Sequence, residues 1–286
     1  MKKSFIKYIF ALLLFGSNGI IASRISLNSS EIVLWRTFTG SLFLILLFVL
    51  SKNKLTFYKH KKDFVSLCIS GIAMGASWMF LYEAYQQIGV SISSLCYYCG
   101  PIIVMILSPL IFNEKMTKNK IASFIVVIIG IILVNNQAVE TSRNMWGIFC
   151  GLLSAIMYSL MVIFNKKAKT ITGIENSMLQ LFISFLTVMV FVGIKQGFNI
   201  NIGKENIMPI IILGLINTGL GCYLYFSSIN DLPVQIVAIC GYLEPLSAVV
   251  FSVLFLKETM LPLQIIGAVL IIGSAVFSKL ADKNYN

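Results

Sequence analysis

The sequence has few charged residues and only one histidine. Charged side chains make up 12% of the 286 residues, whereas a soluble domain of this size carries roughly a quarter. His60 has no second histidine and no carboxylate cluster beside it, and the chain has no Gly-rich phosphate loop. These absences argue against a metal site, a cofactor, a Ser–His or Cys–His nucleophile and ATP-driven transport by this chain. The sequence therefore predicts a protein that is not an enzyme.

The chain consists mostly of long apolar runs. Hydrophobic residues make up 58% of the chain, and the mean hydropathy is +0.89. Each run is close to the roughly twenty residues that a helix needs to cross a bilayer. We predict an all-α membrane protein with ten transmembrane helices, in the runs 5–27, 32–50, 64–88, 91–112, 119–136, 145–164, 176–194, 206–226, 233–255 and 261–278.

The positive net charge indicates topology rather than nucleic-acid binding. With the amino terminus placed in the cytoplasm, sixteen of the 22 lysines and arginines fall on the cytoplasmic side, and six fall on or near the outer side. Membrane proteins show this asymmetry because lysine and arginine are retained in cytoplasmic loops. We therefore expect a multi-pass protein of the plasma membrane with both termini in the cytoplasm, a lipid bilayer around it and no nucleic-acid partner.

The chain contains an internal repeat of half its length. At an offset of 144 residues Pro101 matches Pro245, Glu114 matches Glu258 and Glu31 matches Glu175. Five predicted spans per copy is an odd number, so the second copy enters the membrane upside down relative to the first. Inverted repeats that meet at a midplane site are a recurring architecture of transporters. We predict two inverted five-helix repeats, over residues 1–137 and 138–286.

The most unusual position is a carboxylate in the middle of an apolar run. Glu244 stands about eleven residues into the ninth run, where an acid costs on the order of 2.5–3.5 kcal/mol. Pro245 follows it and matches Pro101 of the first copy, so both prolines are predicted hinges. Gly100 occupies the position equivalent to Glu244, so one half alone supplies the acid. Glu244 is expected to bind a cationic group of a substrate or to couple transport to protons; a hydrogen bond that stabilises the kinked helix is the structural alternative.

Aromatic and amide side chains at similar depth complete the candidate substrate site. Aromatic faces attract cations. Together with Glu244 they favour an amine, a quaternary ammonium or a zwitterionic amino acid over an anion, although about half of the rings are expected to face lipid or fill gaps. The candidate substrate-binding residues are Trp78, Tyr82, Tyr97, Tyr98, Tyr158, Tyr242, Asn18 and Asn217.

Two further charges lie within the predicted spans. Arg36 and Glu83 fall at similar depth near the outer face, so a structural ion pair or a gate between them is expected. The open alternative is that Arg36 holds a carboxylate of the substrate.

The repeated segments resemble a known family of transporters. The segment YLEP followed by LFLKETMLPLQIIGAVLIIGS, its weaker partner YYCGP followed by LIFNEKMTKNKIASFIVVIIGI, and LWRTFTGSLFLILL are similar to the EamA type of the drug/metabolite transporter superfamily. The resemblance covers both halves of the chain. It implies a ten-helix secondary transporter, often an exporter of amino acids or other small metabolites. On this resemblance Glu244, Pro245 and Arg36 match motif positions.

The function expected from these observations is secondary transport of a small organic metabolite, such as an amino acid or an amine, by alternating access. Export is favoured over import. A membrane-embedded subunit that does not transport, or a channel, is the alternative.

Overall fold

The computed structural model describes residues 2–134, 145–197, 202–256 and 262–283. All regular elements within these residues are helical. The helices are α1 (Lys2–Gly16), α2 (Asn18–Ala22), α3 (Ser29–Leu50), α4 (Lys61–Tyr97), α5 (Cys99–Phe112), α6 (Lys118–Val134), α7 (Met145–Lys167), α8 (Gly173–Gln196), α9 (Lys204–Ile212), α10 (Gly221–Ile229), α11 (Val234–Gly241), α12 (Leu243–Leu256) and α13 (Pro262–Lys283). A π-helical turn, Leu213–Leu220, joins α9 to α10, and a short 3₁₀ helix, Phe57–Lys59, precedes α4.

Seven helical segments of the described residues are long and apolar enough to cross a membrane. They are Lys2–Ala22, Ser29–Leu50, Lys61–Ile88, Met145–Lys167, Gly173–Gln196, Lys204–Ile229 and Val234–Phe255. Shorter apolar helices follow at Cys99–Phe112 and Ile265–Ser274. The all-helical membrane class is therefore confirmed, and the count of ten spans stays a prediction. The predicted boundary between the repeats, at residues 137 and 138, lies outside the described residues.

Local sequence signals set several helix ends. Asn28 caps α3 by accepting from the backbone N–H of Glu31 at 2.9 Å, and the Glu31 carboxylate accepts from Asn28 N–H at 3.1 Å. This reciprocal arrangement satisfies donors that have no partner inside the helix. Asn113, with φ of 54°, ends α5, and Gly197, with φ of 72°, ends α8. Asn113 is in the left-handed helical conformation that commonly follows a helix, and Gly197 has a positive φ that glycine adopts without steric cost.

The chain reverses direction inside α4. A Cβ atom added to Gly151 would lie 2.7 Å from Cβ of Cys96 and 3.8 Å from Cβ of Ala84. In a straight helix residues twelve apart would be separated by about 18 Å. The first part of α4 runs antiparallel to α7, because Ser70 bonds to Met161 and Ser77 bonds to Ser154. The chain from Cys96 onward runs parallel to α7, because Cys96 lies against Gly151 and Gly100 bonds to Ser159. The segment that begins at Lys61 therefore turns back before Cys96, as the two predicted spans 64–88 and 91–112 require.

Three helix pairs across the chain run antiparallel. In α6 and α13, a Cβ on Gly130 would meet the carbonyl oxygen of Gly267, and Ser274 donates to the carbonyl oxygen of Ser123. These two contacts map onto each other at the offset of 144 residues. The pair α3 and α8 is likewise antiparallel, with Phe38 against Phe185 and Gly40 against Leu181.

The third antiparallel pair consists of α5 with α11 and the residues that flank them. Ser108 meets Gln235 at one end, and Tyr98 meets Tyr242 at the other. A buried apolar core joins all these helices. It contains Leu44, Met105, Val162, Leu181 and Val237 among others, and thus draws on both halves of the chain.

The end of the bundle at which α1 begins is held together by polar side chains. We call it the basic end; it comprises the first turn of α1, residues 51–61, 112–118, 166–173 and 229–234, where most lysines lie. Both carboxylate oxygens of Glu114 accept from the first backbone N–H groups of α11, at 2.7 Å and 3.2 Å. Lys166, only 9% exposed, donates to the carbonyl oxygens of Ile229, at 2.7 Å, and Leu232. Glu258, the repeat partner of Glu114, lies outside the described residues.

Candidate functional site

Two helix breaks meet near the middle of the bundle. A single residue, Tyr98, separates α4 from α5, and a single residue, Tyr242, separates α11 from α12. The Tyr242 hydroxyl donates to the carbonyl oxygen of Tyr98 at 2.8 Å, and the two rings lie 6.4 Å apart. Pro101 and Pro245 are each the third residue of the following helix. At that position an N–H would have no partner within the helix, so the proline ring fits there without costing a hydrogen bond.

Most of the predicted tyrosines converge around these breaks. Tyr97 lies 5.7 Å from Tyr98 and 5.3 Å from Tyr158, measured between ring centroids. The hydroxyl of Tyr158 is 3.5 Å from that of Tyr225, a residue of α10. The rings of the cluster therefore come from helices in both halves of the chain.

Glu244 lies at the centre of this cluster without a hydrogen-bonding partner for its carboxylate among the described residues. Its backbone carbonyl accepts from the Ser247 hydroxyl at 2.8 Å, and a Cβ on Gly16 would lie 2.9 Å from the same carbonyl oxygen. Helix α1 thus packs directly on the backbone of Glu244. The side chain lies deep in the protein and is half-buried. Hydroxyls within electrostatic range of it are those of Tyr8, Tyr85, Tyr97, Tyr98 and Tyr158.

Arg36 approaches the same region from α3. It is 5% exposed, and its Nε donates to the Thr218 hydroxyl oxygen at 3.0 Å. Its guanidinium lies over the ring of Trp78, with Cζ 4.8 Å from the centroid. Arg36 and Glu244 are close enough to interact electrostatically, but they form no ion pair within the described residues. The predicted residues Trp78, Arg36 and Glu244 therefore belong to one neighbourhood.

The expected ion pair between Arg36 and Glu83 is wrong. Glu83 is paired with Lys195 of α8 and also accepts from Gln87 at 3.2 Å. Five residues along a helix correspond to a rotation of roughly 140°. The face of α4 that presents Trp78 to Arg36 therefore turns Glu83 toward α8 instead.

The remaining candidates lie at the edge of the site. The ring of Tyr82 contacts that of Tyr85, with centroids 5.2 Å apart, and packs on the apolar cluster that contains Val33 and Val188. The side-chain amide of Asn217 donates to the carbonyl oxygen of Leu14 and to the Ser17 hydroxyl, both at 2.7 Å. Asn217 therefore fixes the break between α1 and α2, which is an architectural task.

Asn18 is the remaining amide candidate. Its Oδ1 is buried and has no hydrogen-bonding partner in the structure. It stands at the first residue of α2, next to the break that Asn217 holds.

Sequence reasoning missed several residues of this region. The Tyr8 hydroxyl donates to the carbonyl oxygen of Val237 at 2.8 Å, and its ring contacts that of Tyr225, with centroids 5.3 Å apart. A signal was present for Tyr225, because Asn217, Gly221 and Tyr225 follow each other at intervals of four and share a helix face. No comparable signal marks Tyr8, which lies in an apolar run that resembles the start of a signal peptide. Among the described residues, no three His, Cys, Asp or Glu side chains are grouped as metal ligands would be.

The fold and the buried central charges define a helical membrane protein with a polar, aromatic centre. The model of the EamA-like transporter family matches the chain twice, at residues 3–136 and 145–280. The chain belongs to this family, which is part of the drug/metabolite transporter superfamily.

Relatives and a solved structure agree with this assignment. The chain is 24% identical to the uncharacterized transporter YxxF of Bacillus subtilis (strain 168), over 87% of this chain and 81% of that protein. It is 28% identical to an uncharacterized transporter of Helicobacter pylori (strain ATCC 700392 / 26695), over 86% and 83%. Protein PecM of Dickeya dadantii (strain 3937) is 21% identical over 73% and 71%. A protein crystal structure superposes with a TM-score of 0.83 and 13% identity over 98% of this chain and 99% of that one, which shows the shared fold.

Proposed function

We propose that the protein is a secondary transporter that moves a small organic cation or zwitterion, such as an amine or an amino acid, out of the cell by alternating access. The main support for this proposal is the position of the Glu244 carboxylate. It lies among tyrosine hydroxyls from both halves, beside the contact between two broken helices, and none of the described residues hydrogen-bonds to it. Buried charges are normally paired, so a charge without a partner implies one that arrives from outside.

The chemistry of the cluster favours a positively charged group. Aromatic faces attract a cation by about 0.5–2 kcal/mol per contact, depending on desolvation. A carboxylate adds a stronger attraction where water is scarce. Glu244 serves either as the ligand of that cation or as a carrier of protons in exchange for it, and the experiment below separates these two roles.

Two inverted repeats provide the conformational change in this proposal. The support is the antiparallel pairing of α3 with α8, α5 with α11 and α6 with α13. In the last pair the contacts map onto each other at an offset of 144 residues. Copies related by an axis in the membrane plane pair their equivalent helices antiparallel. Such repeats can exchange roles and so open to either side at similar energy.

Counterflow into proteoliposomes tests the transport function. Vesicles that contain the purified chain and are loaded with unlabelled amine or amino acid should accumulate the labelled compound transiently and saturably. Glu244→Gln keeps the shape of the side chain and removes its charge, so it should reduce the rate at least tenfold. Glu31→Gln, at the start of α3, serves as the matched control and should leave the rate unchanged.

Four outcomes distinguish the alternatives. Flux without saturation or counterflow identifies a channel, and no flux with any amine or amino acid identifies a subunit that does not transport. If Glu244→Gln still catalyses counterflow but no longer responds to a pH gradient, the carboxylate couples protons and does not bind the substrate. Transport by Glu244→Gln equal to wild type at every pH contradicts both roles.

Labelling of single cysteines tests the topology. We expect His60→Cys to react with an impermeant thiol reagent only from the cytoplasm, and Ser23→Cys to react from outside, in a background without the six native cysteines. Both positions are exposed, so access to the reagent depends on the side of the membrane alone. Reaction of both positions from the same side would contradict the proposed orientation.

A further inference from the structure

We propose that Arg36 recognises a carboxylate of the substrate, and that the site thereby selects zwitterions with a free carboxylate over the corresponding amines. This rests on the proposed transport function and makes it more specific. In the bound state the carboxylate lies against the terminal nitrogens of Arg36, and the ammonium group faces Glu244 and the tyrosine cluster.

The guanidinium of Arg36 is buried with most of its donors unused. Only Nε has a hydrogen-bonding partner among the described residues, the hydroxyl oxygen of Thr218. A guanidinium carries five N–H donors and stays charged in proteins. With 5% of the residue exposed, water cannot solvate these donors fully. A buried charge of this kind calls for an anionic partner.

The orientation of Arg36 is fixed by its neighbours. One face of the guanidinium is covered by the Trp78 ring, and Nε is held by Thr218. Thr218 is itself set by the π-helical turn, because its hydroxyl donates to the carbonyl oxygen of Leu213, five residues earlier, at 2.9 Å. Because the Thr218 hydroxyl donates its hydrogen to Leu213, its oxygen can accept a hydrogen bond from Arg36. π-helical turns of this kind are frequent at functional sites.

This arrangement leaves the two terminal nitrogens of Arg36 side by side. A pair of parallel N–H groups matches the two oxygens of a carboxylate, and such bidentate pairs are among the strong hydrogen bonds of proteins. A lysine could not reproduce the fork, because its ammonium is a point charge.

No acid among the described residues forms an ion pair with Arg36. Glu83, the partner expected from sequence, is engaged by Lys195. Glu244 acts on Arg36 electrostatically but forms no ion pair with it. The two opposite charges are therefore near each other and separate, which is the arrangement that a zwitterion can bridge.

Matched ligand pairs that differ only in the carboxylate test this inference. The probes are L-tyrosine with tyramine, L-leucine with isoamylamine and L-lysine with cadaverine, titrated by calorimetry against the purified full chain in detergent. Wild type should bind the amino acid of at least one pair tenfold or more tightly than its amine. Arg36→Gln should remove this preference by weakening the amino acid and leaving the amine unchanged.

Three further variants keep the test decisive. Arg36→Lys retains the charge without the fork, so the preference should fall in part. Thr218→Val removes the anchor of Nε and should have an intermediate effect. Arg24→Gln changes an exposed arginine and should have none. If Arg36→Gln does not fold, as judged by size-exclusion chromatography, the lysine and valine variants carry the comparison.

The outcomes separate this inference from the proposed function. If wild type binds and transports an amine but shows no preference for its amino acid, the inference is wrong and the transport function stands. The same holds if the Arg36 and Thr218 variants keep the wild-type preference, or lose both ligands of a pair equally. If wild type binds and transports no member of any pair, the proposed function fails and this inference with it.

Discussion

The basic end and the centre of the bundle differ in how many hydrogen bonds their charged side chains form. At the basic end Glu114 accepts two backbone N–H groups, and Lys166 donates to two backbone carbonyls. Glu175 of α8 likewise accepts from the backbone N–H groups of Thr56 and Phe57, at 2.6 Å and 2.9 Å. In the centre the carboxylate of Glu244 has no hydrogen-bonding partner among the described residues, and Arg36 uses one donor only.

This difference separates stability from function. A polar network in which every member is satisfied makes the packing rigid and specific. An unsatisfied buried charge weakens the fold, so its presence in the centre points to a ligand. The basic end thus holds the helices together in this conformation, and the centre is left incomplete. Neutralising the charged residues at the two places should therefore change stability in different directions.

The largest effect is expected for Lys166→Met. The change removes the Lys166 donor from the carbonyls of Ile229 and Leu232, and it removes a cation that interacts with Glu114 and Asp231. We expect a loss of about 3 kcal/mol in the free energy of unfolding, measured by titration with sodium dodecyl sulfate in mixed micelles. Lys167→Met, at the exposed neighbouring position, is the control and should cost little. Equal effects of the two variants would contradict a structural role of Lys166.

Glu114→Gln should have the second largest effect. The amide keeps one acceptor for the two N–H groups at the start of α11 and loses the charge that the helix amino terminus favours. We expect a loss of about 2 kcal/mol in the same assay. Glu205→Gln, a similar change in the first turn of α9 at an exposed position, should be nearly silent. A loss no greater than that of Glu205→Gln would show that the basic end does not depend on this carboxylate.

Tyr242→Phe should have a smaller effect. It removes the hydroxyl that bonds to the carbonyl oxygen of Tyr98 and keeps the ring between the two breaks. The expected loss is about 1 kcal/mol of unfolding free energy. Tyr58→Phe, at a position 58% exposed, is the matched control. A silent Tyr242→Phe variant would mean that ring packing alone joins the breaks.

Glu244→Gln should have the smallest effect on stability, and its sign should be opposite. Because a charged group without a partner becomes a neutral amide, unfolding free energy should stay the same or rise by up to about 1 kcal/mol. Unfolding of wild type and variant in the absence of added ligand gives this comparison. A loss as large as that of Glu114→Gln would reveal a structural partner for Glu244 and remove the contrast between the two regions.

The sequence predicted what depends on composition and spacing. Apolar runs predicted the helical membrane class, and the repeated proline predicted hinges at Pro101 and Pro245, each three residues after a helix break in the structure. The same repeat drew attention to Glu244, and the structure brings it together with Tyr97 and Tyr158. Substrate, direction of transport and the count of ten spans stay predictions.

The sequence could not predict which face of a helix meets which neighbour. Arg36 and Glu83 have similar depth, but depth along a helix does not fix rotation about its axis. Glu83 therefore finds Lys195, a residue more than a hundred positions away. The role of Asn217 was also hidden in the sequence. We expected it to bind substrate, because no local pattern shows that Leu14 and Ser17 accept the two N–H groups of its side chain.

The contact between Tyr98 and Tyr242 has an evolutionary consequence. Positions 144 residues apart in two copies of one family unit touch each other, as identical residues do across the axis of a symmetric dimer. In such a dimer any substitution appears twice, so an acid in place of Gly100 would face its own copy. Joining the copies in one chain lets each position change alone. The central acid Glu244, with a glycine at the equivalent position of the other copy, is an arrangement that a dimer of identical chains cannot have.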